Sequence, residues 1–207
     1  MIYMDYRTIA GYAEDAFVER KSRFIGQIAP VQTEEEVNAF LAEISKKQRD
    51  ATHNVFAYRL RSGVERCSDN GEPQGTAGLP TLDVIQREDI VDVCVVVTRY
   101  FGGILLGTGG LVRSYGHAAK LALDAARVVT MCLCASVMVE CSYSFYGTLS
   151  YFLSNSDILV KDTSFGEGVT LLLQMKSERF PSFEKELTEL SNGQVEALKI
   201  EERFDAI

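Results

Sequence analysis

Residues 91–98 read VDVCVVVT, and residues 99–113 continue as RYFGGILLGTGGLVR. Three kinds of sequence meet there. The first is a β-branched run typical of a strand buried on both faces. The middle carries glycines at 102, 103, 107, 109 and 110, which let a backbone take positive φ or approach a ligand closely. The last opens a small-residue helix predicted over about 110–127, with Leu111, Tyr115, Ala118, Ala119 and Ala122 on its inner stripe. Those alanines imply close packing on a sheet. Ligands of open α/β sheets sit at such strand ends, and a helix N-terminus offers free amides and positive dipole to an anion.

Towards the N-terminus, short strands are predicted at 8–10, 17–19 and 23–28, the last ended by Pro30. Thr33 then opens a helix through the capping box TEEE, with Glu36 expected to return a bond to the Thr33 amide. Val37, Phe40, Leu41 and Ile44 form its buried face. The basic residues Lys46, Lys47 and Arg49 at its end read as dipole compensation rather than a nucleic-acid patch. Residues 53–60 suit a strand, 66–80 (RCSDNGEPQGTAGLP) a long loop, and 81–87 a short helix.

Towards the C-terminus the rhythm is strand 135–142, a helix marked by Phe145, Leu149 and Phe152, strands 158–163 and 169–175, a helix marked by Phe180, Phe183, Leu187 and Leu190 and closed by Gly193, and strand 195–203. The order βαββαβ over some 70 residues is the ferredoxin-like pattern. The expected class is therefore α+β in two domains, 1–133 and 134–207.

The 207 residues carry a net charge of −8, which argues against a general nucleic-acid binder unless positive charge is concentrated. Residues 1–130 hold 15 Lys/Arg against 17 Asp/Glu, and residues 131–207 hold 6 against 12, so the first domain is the place to look for an anion site. The five cysteines, Cys67, Cys94, Cys132, Cys134 and Cys141, include no C-x-x-C pair and read as buried free thiols of a reducing compartment. No signal core opens the chain and no charge-free run reaches transmembrane length, so a cytoplasmic location and no membrane partner are expected.

Arg113 is the informative residue of the turn. A cation in the first turns of a helix is opposed by the dipole, so a carboxylate such as Asp69 or Glu72, or a bound anion, should offset it. Tyr100, Phe101 and Tyr115 offer aromatic faces for stacking bases. The alternative is that the glycines serve tight packing, the aromatics are core, and Arg99 and Arg113 pair with acids of the 66–80 loop. The turn has neither the G-K-[ST] of a Walker loop nor a full G-x-G-x-x-G, since Val112 stands where the last glycine would be. His53 and His117 lack metal spacing, and no metal or cofactor is expected. His117 reads as a packing residue, and His53 as polar lining or a turn residue.

Residues 19–25 (ERKSRFI), 50–58 (DATHNVFAY), 65–80 and 95–115 together resemble the signature blocks of the YigZ/IMPACT family. The residues that match are Asp69, Gly71, Glu72, Pro73, Gly75, Thr76 and Gly78 in one block. In the other they are Arg99, Tyr100, Phe101, Gly102, Gly103, Gly107, Gly109, Gly110 and Arg113. The second half resembles the accessory domain of bacterial YigZ-type members, including Tyr143–Gly147 as Y-x-x-Y-G. The resemblance implies a first domain like domain 2 of ribosomal protein S-five, and a ferredoxin-like second domain like the last domain of elongation factor G. Leu105 stands where many relatives have a basic residue, which weakens a phosphate cradle, and Asn70 replaces a common Asp, which argues against a metal.

The expected function is a non-enzymatic, translation-associated regulatory protein that binds RNA, the ribosome or a translation factor. The expected binding residues are His53, Asp69, Gly71, Glu72, Arg99 to Gly103, Gly107, Gly109, Gly110, Arg113 and Tyr115. The alternative is a small-molecule hydrolase or phosphoryl-transfer enzyme that uses the turn as a phosphate site, with Asp69, Glu72 or His53 as acid or base. The residues leave the oligomeric state open.

Overall fold

The computed structural model describes residues 5–206. Tyr6–Thr130 forms one compact unit, and the described chain from Met131 on belongs to the other. The α+β class and the two-domain organisation are those expected.

In the first unit the strands are β1 (Tyr6–Ile9), β2 (Ala13–Glu19), β3 (Ser22–Pro30), β4 (His53–Arg59), β5 (Glu65–Ser68) and β6 (Val93–Tyr100). The helices are α1 (Glu34–Lys47), α2 (Gly78–Arg87) and α3 (Thr108–Ala125). Five strands make an antiparallel sheet in the order β2-β3-β6-β4-β5. The central strand β6 is covered on both sides, as its β-branched run predicts. Val93, Val95 and Val97 join the core under α2 and α3, while Cys94 and Val96 join the one under α1.

The close packing implied by the alanines of α3 is extreme at Gly26 of β3. A Cβ there would lie 2.1 Å from the Ala118 carbonyl oxygen, so helix and sheet meet backbone to backbone. Below α1, Gln27 donates to the Thr98 hydroxyl at 3.0 Å, which donates to Asn54 at 2.7 Å, a buried polar row across three strands.

Local expectations needed adjustment where pairing is nonlocal. The 66–80 loop begins as β5, an edge strand laid against Phe56 to Arg59. Strands β2 and β3 run longer than their apolar runs because each ladder extends the other. Helix α2 starts three residues early, at Gly78, and α3 spans Thr108–Ala125. Thr33 caps α1 by accepting from the Glu36 amide at 3.2 Å, but Glu36 returns its bond to the Gln32 amide at 2.6 Å, not to Thr33. Lys47 pairs with Glu14 at 2.9 Å, a structural use of the basic end of α1.

The second unit contains β7 (Val128–Cys141, starting just before the break), α4 (Tyr143–Ser154), β8 (Leu159–Phe165), β9 (Val169–Lys176), α5 (Phe180–Ser191) and β10 (Ala197–Ala206). Its strands pair antiparallel in the order β10-β7-β9-β8, the ferredoxin-like arrangement. Leu149, Leu153, Phe183 and Leu187 of the helices close over Val137, Val139, Leu171 and Leu173. Helix α5 ends at Asn192 in the left-handed region (φ 51°), with Gly193 donating to the Thr188 carbonyl at 2.8 Å. No described helix is long and apolar enough to cross a membrane.

Candidate functional site

Arg99 is the penultimate residue of β6, not the first residue after it. Its side chain lies on the α3 face of the sheet, 5% exposed. The guanidinium donates through Nη1 to Glu72 Oε1 and through Nη2 to Ser22 Oγ at 3.3 Å. It also lies 5.4 Å from the ring centres of both Phe24 and Phe101. Its Nε has no hydrogen-bond partner among the described residues.

Glu72, with its side chain 4% exposed, is the acceptor at the centre of this cluster. The same Oε1 receives the Tyr115 hydroxyl at 2.8 Å, and His53 Nε2 lies 3.7 Å away. Burial, and then the Glu72 charge, push the Tyr115 phenol far above its ordinary range. His53 is oriented by its other nitrogen, 2.8 Å from the Asn70 carbonyl, so Nδ1 carries the proton there. Asn70 (φ 43°) and Gly71 (φ 86°) make the left-handed turn that swings Glu72 inwards. A Cβ on Gly71 would only touch the His53 ring, at 3.4 Å, so it is the positive φ that calls for glycine there.

Asp69 has a different task. Its carboxylate accepts the amides of Gly75 (2.8 Å), Ala77 (3.0 Å) and Gly78 (2.8 Å), and so caps α2, whose own N-cap residue Ala77 has no side chain to do it. Burial pushes its carboxyl up, but the three amides together hold it below the usual range.

The glycine turn is shaped by close approach and by positive φ. A Cβ on Gly102 would lie 2.1 Å from the carbonyl of Lys21, so the turn rests on the tip of the β2-β3 hairpin. The Ser22 hydroxyl accepts the Gly102 amide at 3.2 Å as well as Arg99. Gly103 (φ 82°) and Gly107 (φ 72°) take conformations other residues avoid. Gly107 caps α3 without a side chain, and the amides of Thr108, Gly109 and Gly110 find no acceptor among the described residues, the first helical bond being Leu111 to the Gly107 carbonyl. Leu105 at the apex is 81% exposed.

The site residues expected from the sequence therefore fall into separate groups. Arg99, Glu72, Tyr115 and His53 form one nearly closed cluster. Tyr115 is fully buried and has no face for a base, contrary to expectation. Tyr100 lies on the opposite face of the sheet and donates to Gln48 at 2.7 Å, because neighbours on a strand point oppositely. Phe101 is half-exposed. Arg113 pairs with neither Asp69 nor Glu72. It is exposed and has no ionic partner among the described residues. Pairing therefore claims one arginine of the turn and leaves the other open.

Sequence reasoning missed Ser22, Ser114 and the Arg20-Lys21 hairpin tip, whose residues take φ of 45° and 67°. The one signal in the sequence was their place in the 19–25 block, because the left-handed tip is taken by Arg and Lys without the Asn or Gly usual at such turns. The five cysteines are free, and burial pushes each thiol up, Cys94 to about 12, so none is a ready nucleophile. Among the described residues, no group of three or more His, Cys, Asp or Glu could hold a metal ion.

Residues 20–123 match the family model of the Impact N-terminal domain, and residues 139–194 match that of a domain of unknown function, DUF1949. The chain is similar to the IMPACT family member YvyE of Bacillus subtilis, 37% identical over 190 residues, 91% of this chain and 88% of that protein. It is similar to the IMPACT family member YigZ of Escherichia coli, 30% identical over 187 residues, 88% of this chain and 92% of that protein. Protein IMPACT of Mus musculus is 38% identical over 96 residues, 43% of this chain and 30% of that protein. A crystal structure of a hypothetical protein superposes with a TM-score of 0.62 at 28% identity, over 97% of this chain and 99% of that one. Matching at both levels, along most of its length and over the domain that holds the glycine turn, the chain belongs to the IMPACT family.

Proposed function

We propose that this protein is a non-enzymatic, translation-associated regulatory protein that binds RNA, on the ribosome or free, through the open end of α3. The observation that carries the reading is the state of Arg113. Among the described residues it is exposed and without an acid partner, on the helix whose first three amides find no acceptor. A cation kept there against the dipole is offset by an anion from outside the chain. Lys21, at the hairpin tip on which the turn rests, widens the positive patch, and Phe101 adds a half-exposed ring. Arg99 supports this face from beneath and does not itself reach phosphate.

The rival enzyme reading needs a free acid or base at the turn. Asp69 is engaged by three amides and Glu72 by Arg99 and Tyr115, which leaves His53 alone. Sedimentation with ribosomes across a salt series tests the binding reading. Association should be measurable at low salt, fall steeply as salt rises, and weaken with Arg113→Ala. No binding at low salt, or binding indifferent to Arg113→Ala combined with Lys21→Ala, overturns it.

A further inference from the structure

Between the β2-β3 hairpin and the N-terminal half of α3 lies a cavity of about 240 Å³. One wall is the stripe Gly110, Arg113, Ser114 and His117, spaced i, i+3, i+4, i+7 on α3, with Leu106 beside it. The other is Phe17, Glu19 and Arg20. The His117 ring meets the Phe17 ring edge-on at 4.7 Å, so it is held in place as part of the wall.

Ser114 is the telling residue. It is 5% exposed, lines the cavity, and its hydroxyl has no hydrogen-bond partner among the described residues. A serine within a helix ordinarily turns its hydroxyl back to a carbonyl one turn earlier, and this one does not. A hydroxyl that opens onto a cavity with no partner from the chain can both donate to and accept from a ligand atom there. Arg113, His117 and Gly110 line the same cavity, and the Gly110 amide has no acceptor among the described residues. Glu19 and Arg20 face each other at 3.8 Å with half-exposed side chains, so this pair sits at the mouth and largely cancels its own charge. The interior is left with donors and positive charge.

We propose that this cavity binds a phosphate monoester. Such a group carries nearly two negative charges and three acceptor oxygens on a single substituent. That suits a pocket with a hydroxyl at its floor, an arginine and an imidazole on its wall, and room for one chain to leave through the mouth. A phosphodiester, with two substituents and one charge, fits less well. The monoester is supplied either by the 5′ end of an RNA or by a free mononucleotide. The first source rests on the RNA reading above, while the second does not.

Fluorescence anisotropy of one oligoribonucleotide, labelled at its 3′ end and carrying either a 5′-phosphate or a 5′-hydroxyl, separates these cases, with adenosine monophosphate and inorganic phosphate as competitors. The 5′-phosphate should bind about tenfold tighter, the effect of hydrogen bonds to a charged group. Ser114→Ala and His117→Ala should each shrink that preference while leaving the 5′-hydroxyl affinity and the thermal midpoint nearly unchanged. Arg113→Ala should weaken both forms. If the two RNAs bind alike but adenosine monophosphate raises the thermal midpoint of the wild type and not of Ser114→Ala, the site stands with a free nucleotide as its ligand. If RNA binds with no 5′-phosphate preference, and neither adenosine monophosphate nor phosphate produces a Ser114-dependent shift, the cavity is not a monoester site although the RNA reading survives. If no RNA binds but the nucleotide shift is present, the RNA reading fails and the site remains.

Discussion

Arg99 and Glu72, from a central strand and from a turn 27 residues earlier, form an ion pair whose side chains are 5% and 4% exposed. A pair buried to this degree contributes little net stability, but removing one member strands the other charge. Arg99→Ala should therefore lower unfolding stability by about 3–5 kcal/mol, read as a urea midpoint shift. Arg99→Met with Glu72→Met should recover much of the loss. If Arg99→Ala leaves the midpoint unchanged while abolishing RNA binding, Arg99 is a contact residue and not a support.

Arg113 should behave in the opposite way. Its exposed side chain has no ionic partner among the described residues, so Arg113→Ala should change stability by less than about 0.5 kcal/mol. The slope of log affinity for RNA against log salt should fall by about one, the loss of one phosphate contact.

Asp69→Ala should cost about 2 kcal/mol near neutral pH, because three amides at the start of α2 lose their acceptor. The Asp69 carboxyl titrates below its ordinary value in the folded protein. Its charged form thus adds stability that is fully present above the unfolded-state value of about 4, and is lost as pH falls through the lower folded value. The stability gap between wild type and variant should hold steady from neutral pH to about pH 5 and narrow in more acidic solution. A gap independent of pH down to strong acid would show that the amides are capped by something else.

Two glycines facing α3 or within it should respond oppositely to a single methyl. Gly26→Ala drives a Cβ to within 2.1 Å of backbone oxygen, so the helix must move off the sheet, and a loss of about 3 kcal/mol or more is expected. Gly116→Ala finds its nearest neighbour at 3.9 Å inside a helix and should stabilise by about 0.5–1 kcal/mol. Thermal midpoints of the two variants decide the comparison.

Much of the fold is legible from local rules. The Thr33 cap, the inner stripe of α3, the β-branched core strand and the βαββαβ rhythm of the second half all follow from spacing, and spacing is a property of neighbours in sequence. The candidate site was legible as a location but not as a wiring diagram. Asp69 and Glu72 stand three residues apart in one loop and looked equivalent as partners for either arginine. The Asn70-Gly71 turn separates them, sending one to the amides of α2 and the other under Arg99.

By itself the sequence determined that Arg99 to Arg113 joins a buried strand to a helix through a glycine turn, because β-branching, glycine and alanine act on their own backbone. Tertiary structure decided which arginine is neutralised and which stays open, because an ion pair is chosen by distance and burial across elements far apart in the chain. It also left the Ser114 hydroxyl facing a cavity, because that cavity exists only where the β2-β3 hairpin is laid against α3.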